Sequence, residues 1–231
     1  VFQVFDQNQR EQIKRIILTA SGGPFLNLSL DQLAGVTVEQ ALRHPTWSMG
    51  PKISIDSATM MNKALEVIEA SYLFDLPTSK IDVLIHQQSI VHALVEYSDG
   101  SILTQMGAAD MRTPIAQTLA WPSRMKTSGK TLNINQKMNL TFEAVDLKRF
   151  QALDLVYNHL GDSPAAPIVF NSANEEAVSA FLAGQIAFDR IVPAVARAVE
   201  SWLGQQRDLS VGSLEHILDI DRSVRGLAAA A

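Results

Sequence analysis

Cysteine is absent from the 231-residue sequence. Its absence excludes disulfide bonds and thiolate ligands, so a metal site in this chain would have to use oxygen or imidazole donors. A chain without cysteine also fits the reducing cytoplasm, and we expect a cytoplasmic protein.

Net positive charge and long apolar segments are missing as well. The 19 Lys and Arg residues are outnumbered by 24 Asp and Glu residues, which gives a net charge of −5. Because no local basic patch offsets this balance, we expect neither nucleic acid nor a membrane as a partner. No apolar run approaches the roughly 20 residues that span a bilayer. With 47% hydrophobic residues, the chain can bury the core of one large or two small domains.

Strand and helix patterns alternate in the first half of the chain. Short β-branched and apolar runs predict strands at residues 16–18, 52–55, 81–85, 90–97 and 102–106. Apolar residues at helical spacing predict helices at residues 59–74 and 112–120. The segment Ser98-Asp99-Gly100 predicts a tight hairpin turn between the last two strands. This order favours a mixed sheet with packed helices.

The second half of the chain has a helical pattern. It predicts four helices joined by short turns, at residues 150–160, 172–183, 188–203 and 211–224. Asn171 or Ser172, followed by Glu175, is typical of a helix N-cap, and Ser213 is a candidate cap for the last helix. Four short-linked amphipathic helices would bury their apolar faces as a small bundle.

The fold class that these patterns predict is α+β. A central domain, residues 1–121, would contain the mixed sheet with its packed helices. Residues 122–146 are polar and weakly periodic, which predicts a surface linker. Residues 147–231 would form the C-terminal four-helix bundle.

Residues 54–66 bring several polar groups to one predicted helix start. A helix start offers unpaired N–H groups and a partial positive charge, and Ser57, Asn62 and Lys63 add donors that suit a phosphate monoester. Glu66 follows Asn62 by four residues, so the two side chains share a helix face. The alternative is a capped amphipathic helix with a solvated polar face.

A long irregular stretch, residues 22–51, follows the first predicted strand. Loops of this length are often lids, and His44, Trp47 and Met49 lie in it. The imidazole could donate to a phosphate and the indole could cover a substrate, or Trp47 could simply pack on the domain surface. The preceding Ser21-Gly22-Gly23-Pro24 allows a ligand to approach the backbone closely, or is a plain turn.

His86 and His92 flank a predicted bend between two strands. Histidines six residues apart across a bend do not automatically share a face, so we interpret both as structural residues rather than as a metal pair. His159 and His216 have no partner nearby in the sequence, and we interpret them as structural too.

Five segments of the sequence together resemble one known family. They are residues 18–25, 43–50, 57–63, 85–89 and 107–114, in the same order as in the family. That family is 1-deoxy-D-xylulose 5-phosphate reductoisomerase. Its members rearrange the carbon skeleton of this sugar phosphate and reduce the product with NADPH to 2-C-methyl-D-erythritol 4-phosphate, for isoprenoid synthesis. The resemblance implies an NADP-dependent oxidoreductase and isomerase that uses Mg²⁺ or Mn²⁺ to polarise substrate oxygens, and a homodimer built through the central domain.

The resemblance also implies roles for individual residues. It assigns substrate binding, mainly of the phosphate, to Ser21, His44, Trp47, Ser57, Asn62 and Lys63. Catalytic roles fall to Glu66, Lys63 and His44, and Glu66 is also a metal ligand. Met49 and Met111 would pack near the nicotinamide, and His92 would lie near the site.

The chain also departs from the family. Members carry an Asp-Ser-Glu motif with two further metal carboxylates, and a Rossmann-like NADPH domain, both upstream of the region equivalent to Val1. We therefore expect a C-terminal portion that binds NADPH and the cation weakly and is inactive alone. Two alternatives stay open: a stand-alone phosphosugar-binding module, and a dimerisation protein whose strands at residues 90–97 and 102–106 form a sheet between two copies.

Overall fold

The computed structural model describes residues 1–43, 49–206 and 211–228. The chain divides into two compact units, each built from two stretches of sequence. The first unit consists of Val1–Ser21 and Asp82–Ala144, and the second of Gly22–Ile81 and Val145–Ala231. Strands and helices both occur in number, which confirms the predicted α+β class. The predicted three-part division of the chain stays a prediction.

The helices and strands have the following bounds. The strands are β1 (Ile13–Ala20), β2 (Ile81–Ile85), β3 (Val91–Tyr97), β4 (Ile102–Met106) and β5 (Glu143–Ala144). The α-helices are α1 (Leu30–Leu33), α2 (Val38–Ala41), α3 (Pro51–Thr59), α4 (Met61–Phe74), α5 (Arg112–Ala120), α6 (Gln151–His159), α7 (Ala166–Leu182), α8 (Ile191–Gln206) and α9 (Leu214–Ala228). Short 3-10 helices span Gln7–Gln12, Thr78–Lys80 and Phe188–Arg190.

The five strands in the described residues form one sheet, in the order β4-β3-β1-β2-β5. β3 runs antiparallel to both β1 and β4. Ile16 of β1 lies opposite Val95 of β3, and both side chains are fully buried. The turn after β3 closes with a hydrogen bond of 2.9 Å from Tyr97 N to Ser101 O, and Gly100 has a φ of 87°. The predicted hairpin is therefore confirmed.

His86 is a buried structural residue, as predicted. Its Nδ1 lies 2.8 Å from the carbonyl oxygen of Thr141. Its Nε2 accepts hydrogen bonds from the backbone N–H groups of Ile90 and Val91, so Nδ1 carries the proton donated to Thr141. The ring also stacks on Phe142 at 4.7 Å. Beside this contact β5 pairs antiparallel with β2, so the segment predicted as a linker contributes a short strand.

Residues 52–55 are helical, and the predicted strand is wrong. They belong to α3, which has Gly50 as N-cap and Pro51 at its first position. Proline is pre-organised for that position because its φ is already helical and it has no N–H to satisfy. Lys52 and Asp56, one turn apart, form an ion pair of 2.6 Å that supports the helix. Position-specific helix signals override the strand propensity of a short β-branched run.

The helix predicted from Thr59 begins at Met61. Met60 has a left-handed conformation, with φ 63° and ψ 11°, and separates α3 from α4. A left-handed residue ends a helix because its carbonyl and N–H no longer follow the helical direction. The polar segment predicted as one helix start is therefore the junction of two helices.

The four C-terminal helices are confirmed as helices, but one predicted cap is wrong. α7 begins at Ala166, so Asn171 and Ser172 lie inside the helix rather than at its start. Ser213 does cap α9, because its Oγ accepts a hydrogen bond of 3.2 Å from His216 N. α7 contacts both α8 and α9, and α6 packs mainly on α4 and also contacts α8. Within the residues that the structure describes, none of the helices has the length and hydropathy of a membrane span.

Candidate phosphate and cation site

The last turn of α3 and the first turn of α4 meet at the Met60 break. Ser57 lies on the last turn of α3, and its carbonyl oxygen accepts a hydrogen bond of 3.3 Å from Met60 N. Thr59 Oγ1 accepts from Met61 N at 3.3 Å and so satisfies one donor of the helix start. In the described part of the chain the Ser57 hydroxyl makes no hydrogen bond, and its side chain is half-buried. This hydroxyl can therefore bind a ligand.

Asn62, Lys63 and Glu66 form a connected group on the first two turns of α4. Asn62 Nδ2 donates to Glu66 Oε1 at 2.7 Å, and Lys63 Nζ donates to Glu66 Oε2 at 2.6 Å. The Lys63 side chain is only 12% exposed, and that of Glu66 is 36% exposed. The structure thus brings three of the predicted site residues together. Both oxygens of one carboxylate are engaged by the two groups that were predicted to bind phosphate.

Glu69, one turn beyond Glu66, responds to the charge of this group. Burial raises the pKa of the Glu69 carboxyl above its ordinary value, and the negative charge of Glu66 raises it further, whereas Lys63 opposes both. The negative charge of Glu66 therefore also acts on the carboxyl group one turn further along the helix. Glu69 is not among the residues predicted from the sequence, although its spacing of three residues from Glu66 places both on one helix face.

Gly23 packs its backbone directly on the last turn of α3. A Cβ atom at this position would lie 2.7 Å from Ser57 O and 3.0 Å from Ala58 Cα. Its φ of 68° is also in the left-handed region that favours glycine. The atoms that approach Gly23 closely belong to the backbone of α3, and the approach of a ligand to this segment stays a prediction.

A buried polar contact behind α3 was not found from the sequence. Asp56, which precedes Ser57, is an acidic residue that is only 1% exposed. Its Oδ2 pairs with Lys52 at 2.6 Å, and its Oδ1 accepts a hydrogen bond of 2.9 Å from Asn174 Nδ2 on α7. The spacing of four residues between Lys52 and Asp56 would have indicated the pair if the segment had been predicted as helix.

Met111 belongs to the first unit, where an ion pair fixes the chain on both sides of it. The Asp110 carboxylate accepts from Arg112 Nη2 at 2.6 Å and from the backbone N–H of Lys130 at 2.8 Å. These bonds, with that of Arg112 first, hold the pKa of Asp110 well below its ordinary value. The Met111 side chain is 58% exposed, so its thioether can pack on a ligand.

For the remaining predicted site residues that the structure describes, it gives a position in the chain but no contact that indicates a ligand. Ser21 ends the first unit directly after β1. His92 lies on β3, with its Nε2 3.1 Å from a backbone carbonyl oxygen, in keeping with a structural residue. Met49 immediately precedes the N-cap of α3 in the second unit. His44 and Trp47 lie outside the described residues.

Two family matches decide where the chain belongs. Residues 1–74 match the family described as 1-deoxy-D-xylulose 5-phosphate reductoisomerase C-terminal domain. Residues 106–227, more than half of the chain, match the DXP reductoisomerase C-terminal domain. The chain belongs to the 1-deoxy-D-xylulose 5-phosphate reductoisomerase family.

Individual reductoisomerases are similar over the whole chain. That of Geotalea daltonii is 52% identical over 222 residues, which are 96% of this chain and 57% of the relative. That of Zymomonas mobilis is 50% identical over 230 residues, which are 100% of this chain and 58% of the relative. The chain thus spans somewhat more than half the length of the curated relatives that it matches.

Solved reductoisomerase structures share the fold. A DOX-P reductoisomerase in complex with NADPH, fosmidomycin and magnesium superposes with a TM-score of 0.92 at 46% identity, over 97% of this chain and 56% of the other. The Zymomonas mobilis reductoisomerase in complex with NADPH gives a TM-score of 0.89 at 48% identity, over 99% of this chain and 58% of the other.

Proposed function

We propose that this chain supplies the phosphate-binding part of an enzyme that converts 1-deoxy-D-xylulose 5-phosphate into 2-C-methyl-D-erythritol 4-phosphate. The observation that carries the proposal is the group of Asn62, Lys63 and Glu66 at the start of α4. Family membership supports it, since the proposed roles of these three residues follow the family.

The phosphate would be bound by groups that the helix junction already presents. Lys63 offers a largely buried ammonium, whose attraction for an anion is stronger than that of a fully solvated one. Asn62 and the hydroxyl of Ser57 add donors, and the start of α4 adds a partial positive charge. We assign Ser21, His44 and Trp47 to substrate binding on the family resemblance alone.

Glu66 fits the role of one ligand to a divalent cation. Its carboxylate offers the hard oxygen donors that Mg²⁺ and Mn²⁺ prefer, and it is partly exposed. When bound, the cation would polarise the substrate oxygens. The Glu66 oxygens now accept hydrogen bonds from Asn62 and Lys63, and they would become available to a cation once these two groups turn to a phosphate.

Met49 and Met111 are the proposed contacts to the nicotinamide of NADPH. A thioether side chain packs well on a planar ring because it is apolar, flexible and polarisable. Met111 fits this role because its exposed side chain sits between two residues fixed by the Asp110–Arg112 ion pair. NADPH would supply the hydride for the reduction.

We also propose that these 231 residues bind the sugar phosphate without turning it over. Glu66 is the one carboxylate in this chain with a proposed metal role, and a single carboxylate holds Mg²⁺ weakly. With NADPH, Mg²⁺ and the sugar phosphate supplied together, absorbance of the reduced cofactor should fall no faster than with a Glu66→Ala variant. Faster oxidation by the unaltered chain would contradict this part of the proposal.

Calorimetry tests the phosphate-binding role directly. Titration of the chain with 1-deoxy-D-xylulose 5-phosphate should give saturable binding, whereas 1-deoxy-D-xylulose, which lacks the phosphate, should give none. Equal binding of both sugars would contradict a phosphate site. Absence of any binding would favour the alternative of a dimerisation protein.

Asn62 and Lys63 share the Glu66 carboxylate, so a substitution of Glu66 is expected to strengthen phosphate binding rather than weaken it. Because Glu66 engages both Asn62 and Lys63, Glu66→Gln should remove the charge that pairs with Lys63 and leave one acceptor oxygen where there were two, so binding of inorganic phosphate should tighten by about twofold to fivefold, the scale of a partly exposed ion pair. The same variant should weaken Mn²⁺ binding, measured by the paramagnetic resonance of the free ion.

Glu69→Gln is the matched control for this prediction. It removes the same charge one turn further along α4 but leaves both hydrogen bonds to Glu66 in place. Equal tightening of phosphate binding by the two variants would mean that only the summed charge matters. No tightening by Glu66→Gln would mean that the carboxylate does not compete for Lys63.

A homodimer formed through the sheet is the second part of the proposed function. β4 is an edge strand, and its Ile102, Leu103 and Met106 side chains are all exposed. An exposed apolar edge strand is a template for pairing with a second copy. In sedimentation velocity we expect Leu103→Lys to shift the chain toward monomer, and Leu119→Lys, at a more exposed position on α5, to leave the association unchanged. The reverse result would assign the interface to α5.

The finer architecture is also proposed rather than established. We propose that α6, α7, α8 and α9 act as a four-helix bundle, which the contacts of α7 with α8 and α9 support. We also propose the three-part division of the chain into a central domain, a linker and this bundle, and a cytoplasmic location.

A further inference from the structure

Asp56 and Asn174 form a buried polar contact that the proposed binding site does not use directly. Asn174 is fully buried on α7, and its Nδ2 donates to Asp56 Oδ1 at 2.9 Å. Asp56 is equally buried on α3, and Lys52, which is half-exposed, balances its charge. α3 and α7 therefore meet through one directional hydrogen bond between two inaccessible side chains.

Stability alone does not explain this contact. A buried carboxylate and amide lose their hydration, and an apolar pair of similar size would join two helices at least as well. The Asn174 Oδ1 atom is also buried without a hydrogen-bond partner among the described residues. A polar pair kept in spite of these costs serves to fix orientation, because a hydrogen bond defines an angle and apolar contacts do not.

The residue whose orientation is fixed is Ser57. It follows Asp56 on the last turn of α3, so rotation of that turn moves its hydroxyl. On another side, the backbone of Gly23 lies so close that a Cβ there would be 2.7 Å from Ser57 O. Ser57 is thus held by the Gly23 segment and by the hydrogen bond from α7.

We infer that Asp56 and Asn174 are positioning residues, which set the direction of the Ser57 hydroxyl for binding a phosphate ester. The inference rests on the proposed function, in which Ser57 is a phosphate ligand. Neither residue touches the ligand. Their effect on binding passes through Ser57, and this makes it separable from a general loss of stability.

The test is a double-mutant cycle on sugar-phosphate binding. In calorimetry of the folded chain with 1-deoxy-D-xylulose 5-phosphate, Asn174→Leu should weaken binding roughly tenfold, the scale of one well-made hydrogen bond. In a Ser57→Ala background the same change should cause no further loss, because the positioned hydroxyl is gone. An equal tenfold loss in both backgrounds would overturn the inference.

Two further variants separate positioning from folding. Asn171→Leu removes the same amide one turn earlier on α7, where it contacts Glu175 at 3.4 Å, and should leave binding unchanged. Asp56→Asn should stay within about twofold of the unaltered chain, because an amide oxygen can accept the same hydrogen bond from Asn174. If Asn174→Leu does not fold, Asp56→Leu takes its place in the cycle.

A second readout works without any ligand. Amide hydrogen exchange at Ser57 should be faster in Asn174→Leu than in Asn171→Leu at equal global stability, because only the first change releases the last turn of α3. Equal exchange in the two variants would overturn the inference even if sugar-phosphate binding is intact. A third outcome is that exchange is faster in Asn174→Leu but the unaltered chain binds no sugar phosphate. Ser57 would then still be ordered by α7, and the proposed function would be rejected instead.

Discussion

Replacing Lys63 with methionine is expected to weaken binding of 1-deoxy-D-xylulose 5-phosphate by about 10-fold to 100-fold. A charge-assisted hydrogen bond to a phosphate contributes roughly 1.5–3 kcal/mol, which corresponds to this range. Methionine keeps an unbranched apolar side chain in a position that is only 12% exposed, so the helix should keep its packing. Isothermal titration calorimetry of the two proteins gives the ratio of dissociation constants.

Lys148→Met is the control for the change in net charge. Lys148 belongs to the same unit and precedes α6, but it has no part in the Asn62–Lys63–Glu66 group. We expect its loss to change the dissociation constant by less than about twofold, since exposed charges interact weakly through water. If Lys63→Met and Lys148→Met weaken binding equally, attraction of the phosphate by the α4 start is not specific and the site lies elsewhere.

Gly23→Ala is expected to lower the free energy of unfolding by about 2–4 kcal/mol. Part of this loss is the strain of a non-glycine residue at a φ of 68°, roughly 1–2 kcal/mol. The rest arises because the new methyl group would lie 2.7 Å from Ser57 O, and backbone atoms can only yield by shifting the helix. Urea denaturation, followed by circular dichroism, measures the difference.

Gly184→Ala separates the two causes. Gly184 follows α7 with a φ of 72°, and a Cβ there would meet no atom within 4 Å. It should therefore lose only the strain contribution, and Gly23→Ala should be the more destabilised variant. Equal losses of unfolding free energy in the two variants would show that the Gly23 segment can shift at no cost in free energy. The close packing on α3 would then make no contribution to stability.

Local patterns predicted most of the secondary structure. The hairpin at Ser98-Asp99-Gly100 and the helix at residues 112–120 follow from turn chemistry and from helical spacing, which act over a few neighbouring residues. The error at residues 52–55 arose where two local signals conflicted. The β-branched residues favoured a strand, and the Gly50-Pro51 start with the Lys52–Asp56 spacing favoured the helix that forms.

The candidate site was only partly visible in the sequence. Asn62, Lys63 and Glu66 could be grouped because all three lie within two turns of one helix. The contact between Asp56 and Asn174 joins residues 118 positions apart, and no periodicity connects them. Which buried polar residues meet depends on how α3 packs on α7, and packing is a property of the folded unit.

The discontinuous units described above impose an order on folding during synthesis. β1 is made before its antiparallel partner β3, which follows only after the whole Gly22–Ile81 stretch. Asp56, close to the helix junction at Met60, likewise gains its hydrogen-bond partner Asn174 only after α7 has been made. Closing such distant contacts requires large loops to be ordered at once, which slows folding and exposes strand edges meanwhile. A nascent chain of this protein should therefore depend on chaperones longer than a helical protein of equal length.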